Sequence, residues 1–425
     1  MKTVKINHIG KTEGHLSFVG ALASGDFAEA RIETEEGARL IEGILLNRKY
    51  FEAPIITARV CGVCPIVHNL TSIKALEQAL NAKVTPEIIS LRKILINSQW
   101  IHSHALHAFF LSFPDLVGVS NDFDFVKKYP LQSRLALEIR DYGVEIARII
   151  GGRTVHPINS VVGGFNVEPD FKQLSEQIGK SKDILEKAEQ LFGFMTKQKP
   201  PKFARPTDYV TLISGKEYPL YDGKIYFSDS KKTIAPDRLL YDMEEKIMPY
   251  EAVKRVSHVD QPFMVGSLAR VNNHFEKLNS RATRAWISLK LGLPCYNLFY
   301  NPFAQMVEVL HCVEEIVKIF AEYKSLRSGK SFRKNLKVPF KPNPGRGVAV
   351  MEAPRGVLYH EYELDRDGNI VHCKIITPTA MFLANLEADL QQLLLENKNL
   401  SPEKRDHLIK TLIRAYDPCI SCATH

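Results

Sequence analysis

Apolar residues recur at helical spacing over most of this chain. Ile66, Leu70, Ile73, Leu76 and Leu80 make one stripe, and Pro65 precedes it where a first helical turn tolerates proline. The same periodicity predicts long helices over about 86–112, 130–150, 170–197, 302–327 and 379–397, and a last one over 402–416 that Pro418 stops. Elsewhere the pattern turns to alternation. Residues 15–35 alternate and turn at Gly25-Asp26, which predicts an opening β-hairpin. Mixed Pro, Gly, Tyr and Lys at about 200–235 predict a β-containing excursion. A Pro/Gly/Lys loop at 331–347 leads into strands over 348–378 joined at Asp367-Gly368. The expected fold is α+β and mainly helical, a long-helix bundle core with peripheral antiparallel β-hairpins. No repeat or low-complexity linker interrupts the sequence, so a single elaborated domain over 1–425 is expected.

Composition adds little to this picture beyond exclusions. With 425 residues, 45% of them hydrophobic, a large core can be buried. Basic residues exceed acidic ones by eight but are scattered, which makes no nucleic-acid footprint. No run approaches the ~20 apolar residues of a membrane span. The first residues hold neither an apolar signal core nor a twin-arginine pair, so a cytoplasmic address is expected.

Cysteine placement changes the picture more. Seven cysteines are too few for a disulfide framework, and four of them form two C-x-x-C pairs, Cys61 with Cys64 and, near the other end, Cys419 with Cys422. Each pair can set two soft thiolate donors on one metal, and two pairs complete a four-sulfur site for zinc, copper(I), nickel or iron. A structural zinc knot is one reading. Against it, the site would join the first helix to the far end of the chain, and both pairs carry a histidine at short offset, His68 and His425. Arg59 and Asp417 flank the pairs as groups suited to tuning reactive thiolates. Cys295, Cys312 and Cys373 stand alone and read as core.

The segments around these pairs, RVCGVCPIVH at 59–68 and DPCISCATH at 417–425, resemble the two signature motifs of nickel-iron hydrogenase large subunits. The likeness continues through KTEGH at 11–15, the segment 39–54, SHALH at 103–107, 151–165, EAPRG at 352–356 and IITPT at 375–379. It is strongest to the cytoplasmic bidirectional branch, linked to NAD(P), a deazaflavin or sulfur. The resemblance implies reversible heterolytic cleavage of H2 at a nickel-iron centre whose iron carries carbonyl and cyanide. It implies Cys61 and Cys419 as terminal nickel ligands and Cys64 and Cys422 as bridges to iron. Cys419 would take the proton and Glu13 would receive it. Arg355 would lie over the centre and bond one cyanide, Thr379 would donate to the other, Asp417 would pair with Arg355, and His68 would bond a bridging sulfur. A magnesium-like ion is implied at Glu42, the backbone carbonyl of Ile375 and His425.

Alone, Glu13 would read as a surface carboxylate, Glu42 as part of a solvated charged stretch, His68 as a core histidine and Asp417 as a turn former. Lys11 replaces the family's usual arginine, and Ser103 stands where many periplasmic members carry aspartate. In this family a peptidase removes an extension after the last histidine, so a sequence ending at His425 reads as the matured form. Three dispersed cysteines cannot hold an electron-relay cluster, which predicts an obligate small partner carrying iron-sulfur clusters and, beyond it, a flavin-bearing module. A hydrogen sensor would keep the same metals. A non-catalytic relative of the quinone-site subunit of complex I would lack the cysteine pairs.

Overall fold

Helices dominate the computed structural model, which describes residues 2–23, 26–215, 217–248, 251–329 and 336–425. The Asn301–Ser328 helix is its axis. Every residue from Asn301 to Val313 is buried, as befits a helix surrounded by packing partners. It packs against the Pro86–Ala105 helix, which packs in turn on Pro130–Gly151. That second contact is close: a Cβ at Gly143 would sit 2.5 Å from the carbonyl oxygen of Ser98. The Pro65–Ala79, Pro378–Glu396 and Pro402–Ala415 helices each start with proline at a first-turn position, where its missing N–H costs nothing.

Two expected helices differ. The segment 86–112 is α-helical only to Ala105 and continues as a π-helix over Leu106–Ser112. The segment 170–197 is two helices, Phe171–Gly179 and Ser181–Met195. The hydroxyl of Ser181 donates to Ile178 O at 2.6 Å and meets Tyr142, so a side chain takes over where the backbone ladder stops. Apolar periodicity runs through the break because both helices bury the same face.

The opening hairpin is Leu16–Ala23 with Asp26–Thr34, and Lys2–Ile6 adds a third antiparallel strand. Gly25, half of the expected turn, lies outside the described residues. The β-containing excursion is longer than 200–235. After Asp208–Ile213, Lys224–Phe227 and Thr233–Ile234 come a hairpin of Met243–Ile247 with Lys254–His258, and Phe263–Met264, which returns parallel to Asp208–Tyr209. Strands this short carry too few residues to show alternation. The helices Ser267–His274 and Ser280–Ser288 were likewise not predicted. Of the loop expected at 331–347, residues 331–335 lie outside the described set, and a strand already begins at Gly345.

That strand, Gly345–Ala353, pairs antiparallel with Gly356–Leu364, which pairs with Ile370–Ile376. The sheet lies on the Pro65–Ala79 helix so closely that a Cβ at Gly347 would come within 1.9 Å of Ala75 O. Pairing of Ala353 with Gly356 leaves Pro354-Arg355 as a two-residue turn, aimed at the start of the same helix. Among the described residues no helix is long and apolar enough to cross a membrane.

Candidate metal centre

Both cysteine pairs sit where a loop becomes a helix. Cys64 precedes the Pro65–Ala79 helix, whose first free N–H groups, on Ile66 and Val67, donate to Gln99 Oε1 at 2.6 and 3.2 Å. The intervening loop folds back on Cys61, whose sulfur accepts from the N–H of Val63 at 3.2 Å and of Cys64 at 3.4 Å. Cys419 precedes the short Ile420–Ala423 helix, and its own N–H donates to Thr379 Oγ1 at 3.1 Å. The four sulfurs lie within 4.8 Å of one another, with Cys61 to Cys419 at 3.4 Å, Cys64 to Cys422 at 3.1 Å and Cys419 to Cys422 at 3.0 Å. All four are buried.

Such crowding is electrostatically uneven without a cation. Hydrogen bonding from Cys419, Cys422 and Cys64 holds the Cys61 thiol well below its ordinary range, while burial pushes Cys419 and Cys422 well above it. A bound metal ion removes that conflict, because coordination deprotonates a thiol outright.

Arg355 is buried beside the sulfurs. Its Nε donates to Asp417 O at 2.8 Å and its Nη2 to Asp417 Oδ1 at 2.7 Å, and Gln305 Nε2 holds the other carboxylate oxygen at 3.0 Å. Asp417 itself adopts a left-handed backbone, φ 57°, in which its carbonyl oxygen and Oδ1 both meet the guanidinium. Nη1 of Arg355 is buried with no hydrogen-bond partner among the described residues. A small cavity of about 10 Å³ adjoins it, bounded by Cys64, Cys419 and Cys422 and by His68, Pro378 and Thr379. An orphaned cationic donor, the Thr379 hydroxyl and three of the four sulfurs around one space fit a metal pair carrying small acceptor ligands.

His68 Nε2 is 3.6 Å from Cys422 Sγ. Its Nδ1 meets His360 Nε2 at 3.3 Å, His360 Nδ1 meets the Tyr362 hydroxyl at 3.0 Å, and that hydroxyl meets Ser72 Oγ at 2.9 Å. Burial lowers His68 to about 3 and His360 far below its usual value, so both rings are neutral and the chain of bonds sets their tautomers.

Glu13 reaches the site by chain pairing. Its carbonyl accepts from Ile420 N at 2.9 Å, and its carboxylate takes Cys419 Sγ at 3.1 Å and Ser421 N at 3.0 Å on Oε2, and the Ser421 hydroxyl on Oε1. On the opposite side His425 Nε2 is 2.9 Å from Ile375 O and 4.0 Å from Glu42 Oε1, which accepts from Ile375 N at 2.8 Å. The residues that the family likeness implies as ligands or their supports are therefore within one or two contacts of the cluster; Arg59 is not, being exposed and donating to Ile55 O, which leaves the expected tuning of the thiolates to Asp417 and Arg355. Cys295, Cys312 and Cys373 are buried apart from it.

Several residues here were not anticipated. Arg39 Nη2 ties Val60 O, just before the first pair, to Ser421 O inside the second. Gln99, Gln305 and His360 sit on the faces of long elements where a polar residue gives no periodic signal. Ser421 lies inside the second pair and was open to inspection.

A model of the family described as nickel-dependent hydrogenase matches residues 39–129 and 223–425. The alpha chain of sulfhydrogenase 1 from Pyrococcus furiosus is 30% identical over 99% of this chain and 97% of its own. The corresponding chain of the F420-non-reducing hydrogenase from Methanothermobacter marburgensis is 28% identical over 100% and 95%. The crystal structure of an NAD+-reducing [NiFe]-hydrogenase in the H2-reduced state superposes with a TM-score of 0.88 over the whole of both chains at 25% identity. The chain belongs to the nickel-dependent hydrogenase family, as a large subunit, and its four-cysteine cluster fits a nickel-iron centre. Large subunits of this kind work in heteromeric complexes with small iron-sulfur subunits.

Proposed function

We propose that this chain catalyses the reversible cleavage of H2 as one unit closed by both of its terminal segments, and that the residues around the cluster divide the work as follows. When bound, the nickel-iron centre supplies the redox chemistry, H2 giving two protons and two electrons. Cys61 and Cys419 would hold nickel alone, while Cys64 and Cys422 would be shared with iron. The Cys419 thiolate accepts a proton and passes it to Glu13 Oε2. The single observation that carries this reading is the 3.1 Å contact between those two groups in a four-sulfur cluster. Ser421 holds the Glu13 carboxylate against the sulfur with its N–H and hydroxyl.

Arg355 Nη1 would donate to one cyanide of the iron and Thr379 Oγ1 to a second; the Nη1 without a partner among the described residues and the adjoining cavity support this. Asp417 fixes the guanidinium, and His68 donates to the bridging sulfur of Cys422. A magnesium-like ion would be held by Glu42, the Ile375 carbonyl and His425, a reading supported by the convergence of these oxygen and nitrogen donors. Electrons leave through iron-sulfur clusters of the small subunit to a flavin-bearing module in the cytoplasm, a reading supported by the likeness to the NAD+-reducing enzyme. The test is an infrared spectrum of the purified complex with metal quantitation. Bands of iron-bound carbonyl and cyanide with about one nickel per chain are expected. Zinc without nickel, and no such bands, would sink the assignment.

A further inference from the structure

The side chain of Arg355 is held by Asp417, but a two-residue turn leaves its backbone in need of a second restraint. Arg270, on the Ser267–His274 helix and fully buried, touches that turn. Its Nη2 donates to Pro354 O at 2.8 Å and its Nη1 to Ala353 O at 3.2 Å, the two carbonyls immediately before Arg355. The other N–H groups are equally committed: Nε to Glu308 Oε1 at 2.7 Å, Nη2 to Glu308 Oε2 at 2.9 Å and Nη1 to Glu352 Oε2 at 2.9 Å. Nη2 is also 3.2 Å from Ser267 Oγ, and the guanidinium lies 4.0 Å from the centre of the Trp100 ring. All five donors of the fork thus have acceptors, and two of these are main-chain oxygens of the turn.

We propose that Arg270, anchored by Glu308 and Glu352, is the positioning residue for Arg355, fixing the 353–355 backbone so that Arg355 Nη1 meets its ligand on iron. The inference rests on the reading of Arg355 as a cyanide donor. Both restraints on Arg355 converge on one rigid element, because Glu308 and Gln305 lie three residues apart on the Asn301–Ser328 helix. Gln305 braces Asp417, the partner of the Arg355 side chain, and Glu308 braces Arg270, the partner of its backbone. Gly266 completes the fit: a Cβ there would come within 3.0 Å of Arg355 O, so its absence lets the turn approach the Arg270 helix. Lysine offers three donors from a point and cannot span two carboxylates and two carbonyls.

The test is infrared spectroscopy with nickel quantitation on the purified complex carrying R270K, R355K or both. R270K is expected to retain nickel, to shift the cyanide bands in the same direction as R355K and to lower turnover about tenfold, as for one weakened hydrogen bond in the reacting complex. The double variant is expected to show the R355K bands with no further shift, since Arg270 acts only through Arg355. Wild-type bands in R270K despite lowered turnover, or shifts that add in the double variant, overturn the proposal. Absence of cyanide bands from the wild type overturns it together with the reading of the centre, and so separates the two failures. Should R270K not accumulate, E352Q keeps one of the two acceptor oxygens that Leu212 N and Arg270 Nη1 use, and so weakens the anchor without changing its size. It is expected to shift the bands less, in the same direction, and not at all in an R355K background; unshifted bands in E352Q alone overturn the proposal.

Discussion

Replacing Glu13 by glutamine removes a carboxylate able to accept and release a proton and almost nothing else. The Glu13 carbonyl still accepts from Ile420 N, so the pairing that brings the segment to the second cysteine pair is kept. The amide oxygen can still take the N–H of Ser421 while the amide NH2 donates to its hydroxyl, and the loss of charge assistance costs about 1 kcal/mol. Among the described residues Glu13 carries the one carboxylate hydrogen-bonded to Cys419 Sγ, so no direct substitute is at hand. Loss of a positioned proton acceptor lowers a rate by roughly 10²–10⁴, or about 3–5 kcal/mol on the barrier. The effect on catalysis therefore exceeds the effect on stability. In D2O under H2, E13Q is expected to retain both metals and to form HD at least a hundredfold more slowly than wild type, roughly the lower bound of that range. HD formation at the wild-type rate by fully loaded E13Q would refute the relay and return Glu13 to a packing role.

Serine at Cys61, Cys64, Cys419 or Cys422 is expected to abolish stable nickel binding, because a hard hydroxyl is a poor substitute for a soft thiolate; nickel analysis of each purified variant checks this. Alanine at Cys295, Cys312 or Cys373 should leave nickel and turnover in place, with a loss of about 1 kcal/mol in thermal unfolding at fully buried Cys312. Glu352 supplies a pH test. Arg270 is shared with Glu308, which it holds below the usual carboxylate range, and burial pushes Glu352 up to about 7. The folded chain then binds that proton more tightly than the unfolded chain, so stability is full below about 4.5 and falls by about 3 kcal/mol as pH rises to about 7. E352Q is expected to flatten the thermal midpoint across that window, and a midpoint that falls as steeply as wild type's would refute the assignment.

Much of this was legible in the residues. The Pro65–Ala79 and Pro130–Gly151 helices declared themselves because one face repeats apolar residues and proline marks the start. The cysteine pairs declared themselves because two such pairs complete a four-sulfur site and each is followed closely by a histidine. Arg270 did not: in sequence it is one arginine in a short amphipathic stretch, and its meaning lies in Glu308 and Glu352, distant in the chain. Arg39 is similar, since its work is done on backbone carbonyls that any residue supplies. The break at Lys180 was hidden because packing continues across it, and the short strands beyond 235 because pairing, not composition, defines them.

The sulfurs that meet in space belong to residues 358 positions apart. At roughly 5–20 residues per second of synthesis, Cys61 and Cys64 emerge about 20–70 s before Cys419 and Cys422. During that interval the growing chain carries a two-sulfur half-site, able to catch zinc or copper(I) but lacking the donors for two metals. Loading of nickel and iron is thus an event that follows translation, and the cell has to keep the waiting thiols reduced and metal-free until their partners arrive.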